Sequence, residues 1–413
     1  MNDIRSPMND RPKLKTQGQL LLELIAISGE YPANNINRLI PAASYAKKVV
    51  TSLTADNLLK TVNSGGLKGY RLTLASKRKL AADNPARFVG VLDGTSETNK
   101  MRSGYERRLR LHSIAETCTL MHNVGAEIFQ DMKPKVYLLN EADSRNENSL
   151  RSAPNLPSQP NGSPKQKGVG GNAASTITTP CFYTSREQKG QNDNAVRGSR
   201  AVGTLLTPTD VYAVYNTGGT ESRWSKDVEL RFKVEVQDNI CRKLLAHQYG
   251  GEAVNGIMVG NDLETLEKYL EIKPKHQTGF HFLIKTFPAF YYITNDKHGE
   301  AQLRFLCNEA KMNELDISLQ KKLSPSDKKY PVEHDAITTD SNPVLFCYLL
   351  NVPRLVRFKN GVTLHKKIGK IVAFDFQVEM LMRYLGDTAE VIKAIDFEKF
   401  VGWIYPERVG GYK

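Results

Sequence analysis

Residues 14–75 carry three apolar periodicities separated by chain breakers, and this spacing constrains the fold more than any other feature of the 413-residue chain. Leu20, Leu21, Leu24, Ile25 and Ile27 recur at helical intervals, so a helix is predicted over about 16–28, ended by Gly29. Pro32 suits a first helical turn, where its missing N–H is not needed. Ile36, Leu39 and Ile40 then predict a short second helix stopped by Pro41. After a tight turn at 42–44, Ser44 is the expected N-cap of a third helix with Val49, Val50 and Leu53 facing inward. Leu58 and Leu59 lead into NSGGLKG and YRLTLASKRKL, which predicts two short strands around a Gly-rich tip and then another helix. Three helices followed by a hairpin are the pattern of a winged helix-turn-helix, with the third helix in the recognition position and the hairpin as the wing.

A helix that enters the major groove of duplex DNA needs an exposed N-terminal half free of carboxylates and supplied with cations and hydroxyls. Residues 44–52 meet that requirement, so Ser44, Tyr45, Lys47, Lys48, Thr51 and Ser52 are the candidate DNA-facing residues, with Asp56 beyond the entering half. Lys68 and Arg71 beside the wing are candidates for phosphate, which adds affinity without sequence information. The alternative is a basic face that is merely solvated, on a domain used for protein contact or dimerisation. Charge asymmetry favours DNA. The chain has 57 Lys+Arg against 44 Asp+Glu, a net charge of +13, and the first 140 residues hold 21 basic against 12 acidic side chains, or +9 of that excess.

The chain is long enough, with 40% hydrophobic residues, for two or three domains that each bury a core. The expected organisation is a winged helix-turn-helix at 1–100, a long basic helix and connector at 101–140, a flexible linker at 141–179 and an α/β domain at 180–413. The basic helix is SGYERRLRLHSIAETCTLMHNVGAEIF, in which Leu109, Ile114, Cys118, Met121 and Val124 keep helical spacing and Arg107, Arg108 and Arg110 cluster at the start. His112 and His122 have no carboxylate or Cys at ligand spacing and read as ordinary helix residues. The linker, rich in Ser, Asn, Pro and Gly, has too little apolar surface to offset its ordering entropy. The five cysteines at 118, 181, 241, 307 and 347 form no CxxC and read as small buried hydrophobes, with no metal site. No apolar run approaches 18 residues and no charged-then-apolar leader is visible, so a cytoplasmic protein with no membrane partner is expected.

Beyond 180 the pattern alternates. VGTLLTP and VYAVYNTGG read as a hairpin, VNGIMVG as a buried strand feeding the helix DLETLEKYLE, and FHFLIKTF and AFYYITN as further strands. PVLFCYLL, an amphipathic stretch around PRLVRFKNGVTLHKK, the strand KIVAFDFQ, the helix VEMLMRYLG and the strand EVIKAIDF follow. Strand, helix and strand at this spacing predict an α/β domain with a mixed, partly parallel sheet. In VELRFKVEVQDNICRKLLA, period two selects Val228, Leu230, Phe232, Val234 and Val236. Spacing four selects Val228, Phe232, Val236, Ile240 and Leu244, and its longer run favours helix.

GNDLET after VNGIMVG lacks the glycines of a phosphate-cradling turn, and no GxSxG or HExxH occurs. The enzyme class that remains is a metal-dependent nuclease of the restriction-endonuclease-like type, whose chemistry needs an Asp and a Glu converging on Mg²⁺. Asp210 in TPTD with Glu235 and Gln237 in VEVQ is the weak candidate set, and Glu187 with Lys189 in SREQK is another. His276 and His281 are too few for the metal of a tyrosine-nucleophile relaxase.

The succession of a wing strand GYRLT, a basic helix YERRLRLHSIAE and an α/β domain with VYAVYNTG and IVAFDFQ resembles the replication-relaxation type of winged-helix DNA-binding proteins of bacterial conjugative plasmids and integrative elements. The resemblance is confined mainly to residues 14–125. It implies a replication or relaxosome accessory factor in conjugation or maintenance of a mobile genetic element, with a relaxase or replication initiator as partner, and it implies no catalytic residue. The sequence therefore predicts a sequence-specific double-stranded-DNA-binding homodimer without a cofactor, Mg²⁺ entering only under the nuclease alternative. A transcriptional regulator whose second domain senses a ligand is the third reading.

Overall fold

The computed structural model describes residues 16–88, 91–92, 104–134, 136, 176–189, 198–216, 218, 224–271, 279–321, 323–325 and 329–405. The chain divides into two compact units, residues 1–115 and 116–413.

Unit 1 contains α1 (Gln17–Ser28), β1 (Tyr31–Pro32), α2 (Ile36–Leu39), α3 (Ala43–Ala55), β2 (Leu59–Ser64), β3 (Leu67–Leu72), α4 (Leu74–Asp83), α5 (Pro85–Phe88) and the first part of α6 (Tyr105–Asn123). Thr16 caps α1 by accepting from the Gln19 amide at 3.2 Å. Apolar residues on several of its faces, with Glu23 neutralised by Arg87 at 2.8 Å, let α1 stay buried from Leu21 to Ser28. Pro32 is not in a helix. It pairs in β1 with Gly69, an edge position where a residue without an N–H is tolerated. The third helix also starts earlier than predicted, because Ala42 is extended and its carbonyl accepts from Ala46 at 2.8 Å; Ala42 is the N-cap and Ser44 sits in the first turn. The sheet has the order β1-β3-β2 and is antiparallel throughout. Gly65 and Gly66, with φ of 61° and 77°, form the two-residue loop that closes β2 onto β3 without splaying the strands.

Unit 2 is built on two mixed sheets rather than the single one expected. The first runs β4 (Cys181–Thr184), β5 (Ala201–Leu206), β6 (Val211–Asn216), β7 (Asn255–Gly260) and β8 (Phe290–Thr294) in spatial order. The second runs β13 (Ala389–Ile395), β12 (Gly369–Phe374), β11 (Pro343–Phe346), β10 (Ala336–Ile337) and β9 (Ser324–Pro325). The helices are α7 (Ser185–Lys189), α8 (Lys226–Val236), α9 (Ala246–Tyr249), α10 (Leu263–Glu271), α11 (Gly279–Thr286), α12 (Lys297–Leu306), α13 (Glu309–Gln320), α14 (Val352–Leu364), α15 (Asp375–Leu385) and α16 (Phe397–Ile404). The ambiguous stretch after Val228 is helical: α8 passes into a wider turn over Gln237–Leu244. FHFLIKTF is α11 and not a strand, because Phe280, Leu283, Ile284 and Phe287 recur at helical intervals and all bury in the core cluster shared by both sheets. Most of the expected linker lies outside the described residues. Its last part is tied into unit 2, where Gln248 bonds the amide and the carbonyl of Ile177 at 2.8 and 2.9 Å. No described helix is long and apolar enough to cross a membrane.

The two sheets repeat one plan. In each, three consecutive strands pair antiparallel, then two further strands add parallel: β4-β5-β6 followed by β7 and β8, and β9-β10-β11 followed by β12 and β13. Side chains repeat as well. Arg231-Phe232-Lys233 in α8 matches Arg357-Phe358-Lys359 in α14; both phenylalanines are fully buried, and each lysine donates to a backbone carbonyl shortly before the last strand of its sheet, Thr286 or Tyr384. After the fifth strand of each sheet an aspartate, Asp296 or Asp396, caps the next helix. Corresponding helices pack together in pairs, α10 with α15 and α12 with α16. Arg383 closes the first pair by a two-pronged contact with Glu267 at 2.7 and 2.8 Å, and Phe305 meets Phe400 in the second with ring centroids 5.1 Å apart.

Candidate nucleic-acid interface

Unit 1 is organised around a carboxylate that is fully buried. Glu30 follows the glycine that ends α1, and it receives Arg71 from β3 and Arg108 and His112 from α6. Arg71 Nε donates to Oε2 at 2.7 Å, Arg108 Nη2 to Oε1 at 2.7 Å, and His112 Nε2 lies 2.9 Å from Oε1. Burial by itself would raise this carboxyl, but the hydrogen bonds from His112, Arg108 and Arg71 outweigh it and hold Glu30 down at about 2. Arg108 also reaches the hairpin backbone, donating to the carbonyls of Ser64 at 2.7 Å, Leu67 at 3.0 Å and Val62 at 3.1 Å. One ion cluster thus orders the end of α1 and the tip of the β2–β3 hairpin. Gly69 is required here, since a Cβ at this position would stand 2.3 Å from Glu30 Oε1.

The residues of GYRLT are all taken up by the fold. Gly69 gives way to Glu30, Tyr70 and Leu72 bury, Arg71 pairs with Glu30, and Thr73 caps α4 by accepting from Ser76. Arg71 is therefore withdrawn from the phosphate-contact set, being 3% exposed with its guanidinium turned onto Glu30. His112 is also more than the ordinary helix residue expected. Sequence spacing gave no sign of this cluster, because its members lie 41, 78 and 82 residues from Glu30.

The other candidate residues lie on the surface. Ala46 is the one buried residue of α3, Val49, Val50 and Leu53 are half-buried, and Ser44, Tyr45, Lys47, Lys48, Thr51 and Ser52 are exposed. Ser44, Lys47, Lys48 and Thr51 share one stripe of the helix, opposite the stripe of Ala46, Val49, Val50 and Leu53. Tyr45 flanks the exposed stripe and is 48% exposed. Ser52 also contacts Asp56, Oγ to Oδ2, at 3.4 Å. Lys68 is exposed on β3. Comparison of the chain with protein-family models, curated proteins and solved structures finds no match.

The weak catalytic set is spread over the loop before β6, α8 and the wider turn that follows it. Asp210 precedes β6 and accepts from Thr209 at 3.0 Å and Asn255 at 3.1 Å. Glu235 is on α8, not on a strand next to Asp210, and contacts Asn239 one turn on. The Gln237 amide serves backbone, donating to the Gly251 carbonyl at 2.8 Å and accepting from the Val254 amide at 2.9 Å. Of the alternative pair, Glu187 takes Lys133 at 2.6 Å and the Thr184 amide at 2.7 Å, and the side chain of Lys189 lies outside the described residues, as does His276. Among the described residues no three His, Cys, Asp or Glu side chains are grouped to hold a metal. The cysteines are unbridged; burial pushes the thiols of Cys118 and Cys307 up to about 12 and those of Cys181 and Cys241 up to about 11, which keeps them protonated and unreactive near neutral pH.

Proposed function

We propose that the chain is a sequence-specific duplex-DNA-binding protein whose unit 1 acts as a winged helix-turn-helix, with α3 in the major groove and the β2–β3 hairpin against the backbone. The observation that carries this reading is α3. A 13-residue helix with one buried residue has been left open on its outer face, and that face carries two lysines, hydroxyls and an exposed tyrosine with no carboxylate between Ala43 and Ala55. Lysines supply phosphate affinity, while hydroxyls and the tyrosine suit base edges. The helix–strand–helix–helix–hairpin order of unit 1 and its Arg108-ordered hairpin support the same reading. The resemblance of GYRLT and YERRLRLHSIAE extends it to a homodimeric accessory factor at an origin on a mobile element, working beside a relaxase or replication initiator.

The test uses the full chain and a duplex recovered by selection from a random library. Anisotropy titrations at several salt concentrations are expected to show log affinity falling with log salt, and Lys47→Ala with Lys48→Ala to reduce the slope by about 0.9 for each phosphate contact removed. Tyr45→Ala is expected to lower the preference for the selected site over random duplex by about 1–3 kcal/mol, while Lys68→Ala weakens both equally. Binding that ignores salt, or variants that bind like wild type, would reject the assignment.

A further inference from the structure

Unit 2 contains a cavity of about 600 Å³ at the place where its two repeats meet. One wall comes from α8 and the end of α11 in the first repeat, the other from α14 in the second. Three cations line it, Lys233, Lys285 and Arg357, and none of its described lining residues is a carboxylate. Between them the surface is apolar, formed by Ile284, Phe287 and Val356. Lys233 is half-buried, its ammonium 5.2 Å from the centroid of the Phe287 ring and 2.5 Å from the Thr286 carbonyl oxygen it donates to. Burial pushes the Lys233 ammonium down, so an anion placed beside it would favour the charged form. Arg357 is held through Nε by Glu333 at 2.8 Å and remains 54% exposed.

The second repeat separates what the fold needs from what the cavity adds. Lys359, the counterpart of Lys233, makes the same kind of carbonyl contact and lies 3.9 Å from the centroid of the Tyr384 ring, so a half-buried lysine at this point belongs to the repeat itself. Particular to the cavity is that Lys285 and Arg357 stand at the same opening, bringing cations from both repeats to one apolar recess. An anionic head set in this opening meets all three cations, sharing Arg357 with Glu333. The volume falls in the range of small-molecule sites.

We propose that this cavity binds a small organic anion, its charged head held by Lys233, Lys285 and Arg357 and its apolar body lying against Phe287, Ile284 and Val356. The site is independent of the DNA reading of unit 1.

The test titrates the full chain with 1-anilinonaphthalene-8-sulfonate, an apolar aromatic body with an anionic head, and follows its fluorescence. N-phenyl-1-naphthylamine, the same body without the head, and inorganic phosphate, a head without the body, are run beside it. One saturable sulfonate site per chain is expected, displaced by phosphate only at much higher concentration. Lys285→Gln and Arg357→Gln, both at exposed positions, are expected to raise its Kd about tenfold or more each, with Arg357→Lys recovering part of the loss and the neutral probe unaffected. Circular dichroism melting confirms that the variants fold. Absence of a saturable site, sulfonate binding unchanged in both Gln variants, or equal weakening of the charged and neutral probes would overturn the assignment.

Discussion

Replacing Glu30 by Gln isolates the ion cluster of unit 1, because the side chain keeps its volume and loses its charge. Two guanidinium groups, each on a residue 3% exposed, would then remain buried without their counter-ion. Breaking a buried pair on one side costs about 3–5 kcal/mol. The carboxyl offers a second route to the size of the effect: the gap between its ordinary 4.5 and the folded value of about 2 corresponds to about 3 kcal/mol. Since the folded value lies below the unfolded one, this stability is present above about pH 4.5 and is lost as the pH falls toward 2. Hydrogen exchange followed by mass spectrometry reads it locally, with peptides from β2 and β3 reporting on unit 1 and peptides from β7 serving as the reference in unit 2. The β2–β3 amides of Glu30→Gln should open more easily by about 3–5 kcal/mol at neutral pH, and the variant should lose the added opening that wild type shows between pH 4.5 and the acid limit. A change below about 1 kcal/mol, or an unaltered acid response in the variant, would refute the idea that Glu30 orders the hairpin.

Gly69→Ala should destabilise unit 1 by about 1–3 kcal/mol in urea titrations, because the new methyl would stand 2.3 Å from Glu30 Oε1 and 2.8 Å from His112 Nε2. Asp210→Ala and Glu235→Ala should leave calorimetric Mn²⁺ titrations indistinguishable from wild type, since the two carboxylates lie on different elements and accept from different asparagines, Asn255 and Asn239; a micromolar site lost in both variants would favour the two-carboxylate nuclease reading instead.

The elements of unit 1 were legible because each depends on neighbours in the chain. Thr16 and Gly29 bound α1, the paired glycines 65 and 66 place the hairpin, and the alternation of exposed and inward stripes in residues 43–55 marks α3. Where prediction failed, a longer-range partner had intervened. Pro32 was drawn into a strand by Gly69, Arg71 was turned inward by Glu30, and residues 279–286 became a helix because that conformation sends Phe280, Leu283 and Ile284, with Phe287 just beyond its end, together into the core to which both sheets contribute. The repeat in unit 2 left a faint sequence signal, Arg-Phe-Lys at 231–233 and 357–359, that is too short to stand out before the strand orders are compared.

Chain-local information suffices for the three helices and hairpin of residues 16–72, the exposed basic face of α3, most strands of unit 2, and the concentration of positive charge in the first third of the chain. Which charges remain at the surface depends on packing between distant segments. Arg71 and Lys68 are three residues apart on one strand, and nothing local tells them apart in role; Arg71 is buried because Glu30 stands against its face of the strand, whereas Lys68 is exposed beside the hairpin loop, on the face that buries Tyr70 and Leu72 only farther along. The cavity cations were settled in the same way, since Lys233 and Arg357 are 124 positions apart in the numbering and share a surface only because the two repeats pack together.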